Sequence, residues 1–266
     1  MTLIQKFLVC LALIVSAIPV RGAEKNSGLD YFAGFGIRSM PFGAAGYAEA
    51  GSNHLLYGDY ANPDEVFYGY LRPGVRLTSA ISINAADAFL SVYPVSFLGL
   101  TFGSAITHRS KDQSGNTDCS LYQCDGDLRT KYAALDLTLG ARGYFVVTHL
   151  VWTDFWPSGD GEDFYEDGAV LIGRRGYDRT FEQTYTAGKK IPNSMLEDFF
   201  IGFGGRRTEA HGTGSFSERI SLVGGHRQGA WRWTYAAGVH RSSLQPLAPA
   251  FGVAVEWIGR EGLALN

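Results

Sequence analysis

The residue types of a hydrolytic site occur together in one short polar segment that contains Glu209, His211 and Ser215. A serine nucleophile, a histidine base and a carboxylate are the groups of a hydrolase triad. The same segment contains Gly212 and Gly214, which is typical of an ordinary polar turn. Because proximity in sequence does not establish triad geometry, we assign no catalytic residue and keep a hydrolase acting on lipid or peptide as an alternative.

Other motifs for catalysis or cofactor binding are missing from the sequence. It contains no GxSxG elbow, no HExxH zinc helix and no P-loop. Its six histidines do not cluster with cysteines at metal-ligand spacing. The sequence therefore predicts neither a cofactor nor a metal site.

Two cysteines, Cys119 and Cys124, lie in a polar segment rich in glycine, asparagine and aspartate. In an exported protein such a pair is more often a disulfide than a metal site, which would need further ligands. We predict a disulfide that restrains an exposed loop.

The first 23 residues have the organisation of an export signal. Lys6 supplies a positive charge, and residues 7–18 form an apolar stretch that is too short to span a bilayer. Pro19 ends this stretch, and Gly22 and Ala23 offer small residues for cleavage. We predict a signal peptide over 1–23 and one β-domain over 24–266; a short buried helix is the alternative reading.

The composition favours strands. Charged residues make up 18% of the 266 positions, the net charge is −3, and there are 34 glycines and 14 tyrosines. Gly and Tyr in these numbers suit turns and strands better than helices. The absence of a basic excess argues against nucleic acid as a partner.

Several segments alternate between apolar and polar residues with a period of two, which puts one set of side chains on each face of a sheet. In 230–241, Trp231, Trp233 and Tyr235 share one face, with Arg232 and Thr234 on the other. Similar alternation occurs in 66–81, 131–139, 199–206 and 251–257. These segments are longer than the usual globular strand and match a tilted membrane-spanning strand.

This pattern, over about residues 28–259, resembles that of bacterial outer-membrane β-barrel proteins. The resemblance implies an all-β fold, a closed antiparallel transmembrane β-barrel of about 10–12 strands, in contact with outer-membrane lipid. A soluble exported periplasmic β-protein is the remaining alternative; its strands should be shorter and its outward face polar.

The connections and aromatic residues suggest an orientation. We expect short connections at 84–87, 140–143 and 227–229 on the periplasmic side and longer ones at 41–63, 109–128 and 157–166 on the cell surface. Trp152, Phe155 and Trp156 are expected to belong to an aromatic girdle at the membrane interface.

Charged residues on the face opposite the apolar one are candidates for the lumen. They are Arg72, Arg76, Asp136, Arg206, Arg219, Arg232, His240 and Glu256. They could line a path for small polar or anionic solutes. Alternatively, carboxylate–guanidinium pairs could fill a narrow lumen, which we favour because only much larger barrels leave wide channels. The predicted function is therefore a structural or small-solute channel role.

Overall fold

The protein is described by a computed structural model. It describes residues 27–40, 42–59, 67–80, 82–110, 119, 121–158, 163–166, 170–192 and 196–261. The predicted signal peptide, 1–23, lies outside the described residues. The strands are β1 (Ser27–Ser39), β2 (Phe42–Tyr57), β3 (Gly69–Ala80), β4 (Ile83–Val95), β5 (Leu98–Arg109), β6 (Gly126–Ala141), β7 (Tyr144–Pro157), β8 (Phe164–Glu166), β9 (Leu171–Gly173), β10 (Asp178–Lys190), β11 (Glu197–Ala210), β12 (Phe216–Gln228), β13 (Trp231–Ser242) and β14 (Ala248–Arg260).

Twelve of these strands, all except β8 and β9, form a closed antiparallel barrel. Each pairs with its neighbours in the chain, β7 pairs with β10, and β1 closes the ring against β14. In the closing pair, Ile37 lies opposite Val253 and Gly34 opposite Glu256. Closure leaves no unpaired edge, which a barrel in lipid requires. The predicted fold class is confirmed at the upper limit of the strand count.

The two faces of the strands follow the predicted alternation. Phe203 of β11 is 65% exposed on the outside, whereas the neighbouring Arg206 contacts Glu182 inside. On β13, Trp231 and Tyr235 are exposed on the outside, and His240 is buried within the barrel. The barrel strands are 12 to 16 residues long, so inward-facing and outward-facing side chains occur along the whole height of the barrel.

The barrel has two distinct ends. The loop end carries the connections 40–41, 81–82, 110–125, 158–177, 211–215 and 243–247. The terminus end carries Ser27, Arg260 and the connections 58–68, 96–97, 142–143, 191–196 and 229–230. As predicted, the short turns at 142–143 and 229–230 lie at one end of the barrel. The longer connections 110–125 and 158–177 begin and end at the other.

Two predicted connections are wrong. Most of 41–63 belongs to strand β2, and the loop that follows it lies at the terminus end, with 60–66 outside the described residues. The alternation of β2 is weak because small residues occupy both of its faces. Residues 84–87 lie within β4, where Asp87 faces inward opposite Arg76 and accepts a hydrogen bond from Tyr132. Asn and Asp favour turns, but here cross-strand pairing decides the structure.

Exposed large apolar side chains form a belt around the outside of the barrel. They include Phe35, Ile37, Val75, Leu90, Phe102, Val146, Tyr185, Ile201, Phe203, Ile220, Leu222, Phe251 and Val253. A soluble protein rarely exposes so large an apolar surface, whereas a lipid-facing barrel needs one. Among the described residues, no helix is long and apolar enough to cross a membrane.

Charged side chains on the outer face mark the edge of the belt at the loop end. Arg179 Nε lies 2.6 Å from Asp154 Oδ1, and Arg207 and Arg241 each lie 2.6 Å from Glu218. The Tyr177 hydroxyl donates to Asp154, and this hydrogen bond to the carboxylate raises the pKa of Tyr177. Paired charges of this kind fit the headgroup region rather than the hydrocarbon.

Two of the three residues expected in an aromatic girdle lie on the outer face, as a girdle requires. Trp152 and Trp156 lie on the outer face, where Trp152 stacks on Phe181 at 5.0 Å between ring centroids. Phe155 instead faces the interior and packs against Phe164. The period of two requires this, because adjacent residues of a strand point to opposite faces.

Candidate functional site

A short hairpin, β8–β9, lies within the loop end of the barrel, and we call it the cap. Phe164, Tyr165, Val170 and Leu171 of the cap are at most 1% exposed. Phe164 packs against Leu128 and Phe155, on the inner faces of β6 and β7. Apart from Tyr68 and Tyr70 near the terminus end, these are the largest fully buried side chains among the described residues.

The cap crosses the mouth of the barrel. Tyr165 and Val170 pack with Leu244, which lies in the connection between β13 and β14. In the ring of twelve strands, β6 and β13–β14 lie on opposite sides. The Ile172 amide donates to the Ser215 hydroxyl at 3.1 Å, which adds a contact with the β11–β12 connection. The cap therefore joins several sides of the barrel.

The buried side chain of Arg109 contacts the cap. Arg109, at the end of β5 and 3% exposed, donates from Nη1 to the Tyr165 carbonyl at 2.6 Å and from Nη2 to the Asp125 carbonyl at 3.0 Å. Its guanidinium also lies 5.9 Å from the Phe164 ring centroid. The sequence analysis missed Arg109 because its partners are backbone carbonyls.

The loop that contains Cys119 and Cys124 also contacts the cap. Cys119 and Cys124 are bonded to one another in the structure, with their Cα atoms 5.6 Å apart. Cys124 packs on Tyr165 and Val170 of the cap. Gln123 pairs with the cap through backbone hydrogen bonds, donating to Asp163 O and accepting from Tyr165 N.

We predict that the double change Cys119→Ser and Cys124→Ser leaves the barrel assembled, because the pair lies outside the twelve barrel strands. The folded species should retain its heat-modifiable gel mobility, while protease cleavage within 110–125 becomes faster. Loss of the folded band would show that the pair does more than restrain its loop.

The eight predicted lumen residues all lie at inward positions of their strands. They differ in the residues that they contact. Arg72 and Arg76 contact carboxylates on β1 and β2, and Arg232 contacts Glu256. Arg206 contacts Glu182, and Asp136 contacts His149. Arg219 and His240 lie opposite each other on β12 and β13.

Four charged residues form what we call the paired cluster: Asp30, Glu49, Arg72 and Arg76. Arg72 binds Asp30 through Nε at 2.9 Å and Nη2 at 2.5 Å, and its Nη1 lies 2.8 Å from Glu49. Arg76 binds the other Glu49 oxygen at 2.6 Å. The side chains of Asp30 and Glu49 are only 4% and 5% exposed. Each charge in this cluster is thus neutralised locally, as buried charges must be.

Two further interior carboxylates, Glu256 and Asp136, have different kinds of partner. Glu256 contacts Arg232 at 3.0 Å and also accepts a 2.5 Å hydrogen bond from the Tyr47 hydroxyl. Asp136 was expected to pair with an arginine, but its partner is His149, with Nδ1 at 2.5 Å from Oδ1. The strand register decides this, since His149 lies directly opposite Asp136.

Near the loop end, four residues form what we call the arginine cluster: Arg38, Arg206, Arg219 and His240. The register places Arg206 opposite Arg219 and Arg219 opposite His240. Arg38 of β1 is close enough to Arg206 and Arg219, and to Glu166 of the cap, to interact electrostatically with them. Positive charge is therefore concentrated beneath the cap.

Several of these residues were missed in the sequence analysis. Asp30 and Arg38 follow the alternation of β1, where Phe35 and Ile37 are exposed on the outside, so the period of two could have found them. Glu49 was missed because residues 41–63 are predicted to form a connection. Glu182 lies on β10, whose segment is not among those predicted as strands from their alternation.

The three residues considered for a hydrolase are not joined in the structure. Glu209 contacts Arg207 at 3.1 Å on the outer face. Ser215 is buried and accepts a hydrogen bond from the Ile172 amide. His211 is exposed, and its backbone amide donates to the Arg179 carbonyl. Within the described part of the chain, no three His, Cys, Asp or Glu side chains are grouped to hold a metal ion.

Comparison with known proteins adds similarities of fold at low sequence identity. No protein-family model matches the chain, and no curated protein matches it in sequence. The β-domain of the Bordetella autotransporter BrkA has 8% identity and a TM-score of 0.46, covering 88% of this chain and all of the BrkA domain. The translocator domain of the autotransporter NalP from Neisseria meningitidis has 12% identity and a TM-score of 0.38, with 95% of each chain covered. OmpT, an outer membrane protein of Vibrio cholerae, has 8% identity and a TM-score of 0.40, covering 90% of this chain and all of OmpT.

These likenesses are too distant to transfer a function, so the assignment rests on the barrel itself. The ring of strands is closed, its outer belt is apolar, and paired charges mark the edge of that belt. An apolar exterior on a closed barrel is stable in a bilayer and not in water. The chain is an integral β-barrel of the outer-membrane type.

Proposed function

We propose that the protein is a narrow outer-membrane channel for small polar solutes, closed at its loop end by the β8–β9 cap. The single observation that carries this proposal is the position of the cap, a small hairpin that crosses the mouth of a barrel with a charged interior. In outer-membrane barrels a polar interior is either a water-filled channel or is plugged by a loop, and the cap lies where it would close one end of such a channel.

The exposure of the interior side chains supports a path for water below the cap. The side chains of Arg76, Arg206 and Arg232 are 46%, 33% and 39% exposed. In a lumen filled by ion pairs these groups would be buried. The side chains of Asp30, Glu49 and Arg72 are at most 13% exposed, as in a filled lumen, whereas the more exposed arginines support an open path.

The same features limit the size of the solute. Barrels of about 12 strands have little free space once inward side chains are in place. The paired cluster occupies one side, and at the terminus end Tyr70 stacks on Tyr93 with ring centroids 4.3 Å apart. We infer that only small hydrated solutes would pass.

The test is the single-channel conductance of the reconstituted protein and of its Arg109→Met variant. Methionine keeps much of the length of the side chain and removes both hydrogen bonds to the cap region. Hydrogen bonds from a charged donor are worth about 1.5–3 kcal/mol each. We therefore expect the fraction of time spent in the open state to rise at least tenfold.

Arg129→Met is the matched control, because Arg129 is exposed on the outer face near the same end. It removes the same charge without touching the cap and should leave the conductance unchanged. If the parent and Arg109→Met proteins were both silent at every voltage while folded, the channel proposal would be wrong and a structural barrel would remain.

A further inference from the structure

Within the arginine cluster, Arg206 and Arg219 lie near one carboxylate, Glu182, whereas Arg38 lies near Glu166 of the cap. Glu182 is already bound by Arg206 Nη2 at 2.6 Å. The hydroxyls of Thr184 and Thr208 also donate to Glu182, each at 3.3 Å. Little acceptor capacity is left for a second guanidinium.

Arg219 is attracted by Glu182 but does not contact it directly. It forms no hydrogen bond or ion pair with any described residue, and Arg206 lies directly opposite it on β11. Like charges facing each other across a strand pair are destabilising. This contrasts with the paired cluster, where each arginine binds a carboxylate.

His240 provides an independent observation at the same place. It is only 2% exposed, and its Nε2 has no hydrogen-bond partner among the described residues. It lies opposite Arg219 and is close enough to Arg38 and Arg206 to interact with them. A buried imidazole with an unused ring nitrogen therefore faces a group of three guanidiniums.

Between His240 and Arg38 the wall consists of small residues. The inward positions of β14 in this region are Ala248, Ala250 and Gly252. A Cβ atom added at Gly252 would lie 3.9 Å from the Arg38 side chain. The guanidiniums are thus not screened from one another by a bulky neighbour.

We propose that Arg38, Arg206, Arg219 and His240 form a binding site for a small oxyanion, of the phosphate or carboxylate class, beneath the cap. Guanidinium groups bind such oxyanions through paired N–H donors, and the imidazole can donate a further hydrogen bond. The bound anion offsets the repulsion between Arg206 and Arg219. This inference deepens the proposed channel function by naming the solute class.

The test is calorimetric titration of inorganic phosphate into the folded, full-length protein in a non-ionic detergent, at constant ionic strength maintained with chloride. We expect saturable binding to the parent and at least tenfold weaker binding to Arg219→Gln. His240→Gln, which keeps a donor, should lie between them. Retained heat-modifiable mobility would show that each variant is folded.

Arg207→Gln is the matched control. Arg207 follows Arg206 on β11 but faces outward, where it contacts Glu218 at 2.6 Å. Its loss should leave phosphate binding unchanged. Equal phosphate affinity in the parent and Arg219→Gln, or equal weakening in Arg207→Gln and Arg219→Gln, would overturn the site.

Conductance measured on the same proteins separates the two proposals. Phosphate binding without conductance would keep the site and remove the channel. Conductance without saturable phosphate binding would keep the channel and remove the site.

Discussion

The Arg72→Met variant is expected to lower the free energy of unfolding of the barrel by about 3–5 kcal/mol. Arg72 neutralises Asp30, whose side chain is 4% exposed, and shares Glu49 with Arg76. Methionine fills much of the same volume but leaves the Asp30 carboxylate without a cation. An uncompensated buried charge costs more than the ion pair itself contributes. Denaturant unfolding of the protein in lipid vesicles would measure the loss.

The double variant Arg72→Met with Asp30→Asn is the control for this prediction. It removes both charges, so it should recover about 1–3 kcal/mol of the loss as coupling energy between two residues in contact. An additive result would show that Arg72 contributes by packing alone, for instance against Phe89, whose ring centroid lies 5.2 Å from its guanidinium.

The Val253→Arg variant is expected to impair insertion by about 2–4 kcal/mol, the cost of an arginine on the lipid face near the bilayer midplane. Val253 lies at the middle of β14, is 38% exposed on the outer belt, and pairs with Ile37 and Tyr235. Neither these partners nor Phe251 and Val255 on the same face of β14 offer a carboxylate to the new charge. The yield of heat-modifiable protein after refolding into vesicles measures the effect.

The Val239→Arg variant tests how the cost of an arginine on the outer face depends on its depth in the membrane. Val239 lies on the same outer face but only two residues before Arg241, which pairs with Glu218 at the loop-end edge. The same substitution there should cost about 0–1 kcal/mol. If both variants inserted equally well, the position assigned to the apolar belt would be wrong.

The outer belt could be predicted because its signal is local. Ile201 and Phe203 alternate with Gly202 and Gly204, and a lipid-facing strand makes that alternation unavoidable. The signal fails where both faces carry small residues, as in β2, where the sequence predicts a connection. It also fails at 84–87, where turn-forming residue types lie inside β4.

The cap had no comparable signal. β8 and β9 are three residues each, too short for a period of two to be recognised. Phe164 and Tyr165 are buried because the mouth of the barrel surrounds them, not because their own segment has an apolar face. Burial of this kind exists only after the ring has closed.

The sequence by itself determined that the chain forms long strands and, where the alternation is clear, which side chains face inward, because both follow from a pattern repeated every two residues. Only the tertiary structure decided which inward charges neutralise each other. The Arg72–Asp30 pair joins residues 42 apart, and the Tyr47–Glu256 hydrogen bond joins residues 209 apart. Such contacts depend on strand register and on closure of β1 against β14, which no local pattern encodes. The same register places Arg219 between Arg206 and His240, where it forms no ion pair with a described carboxylate.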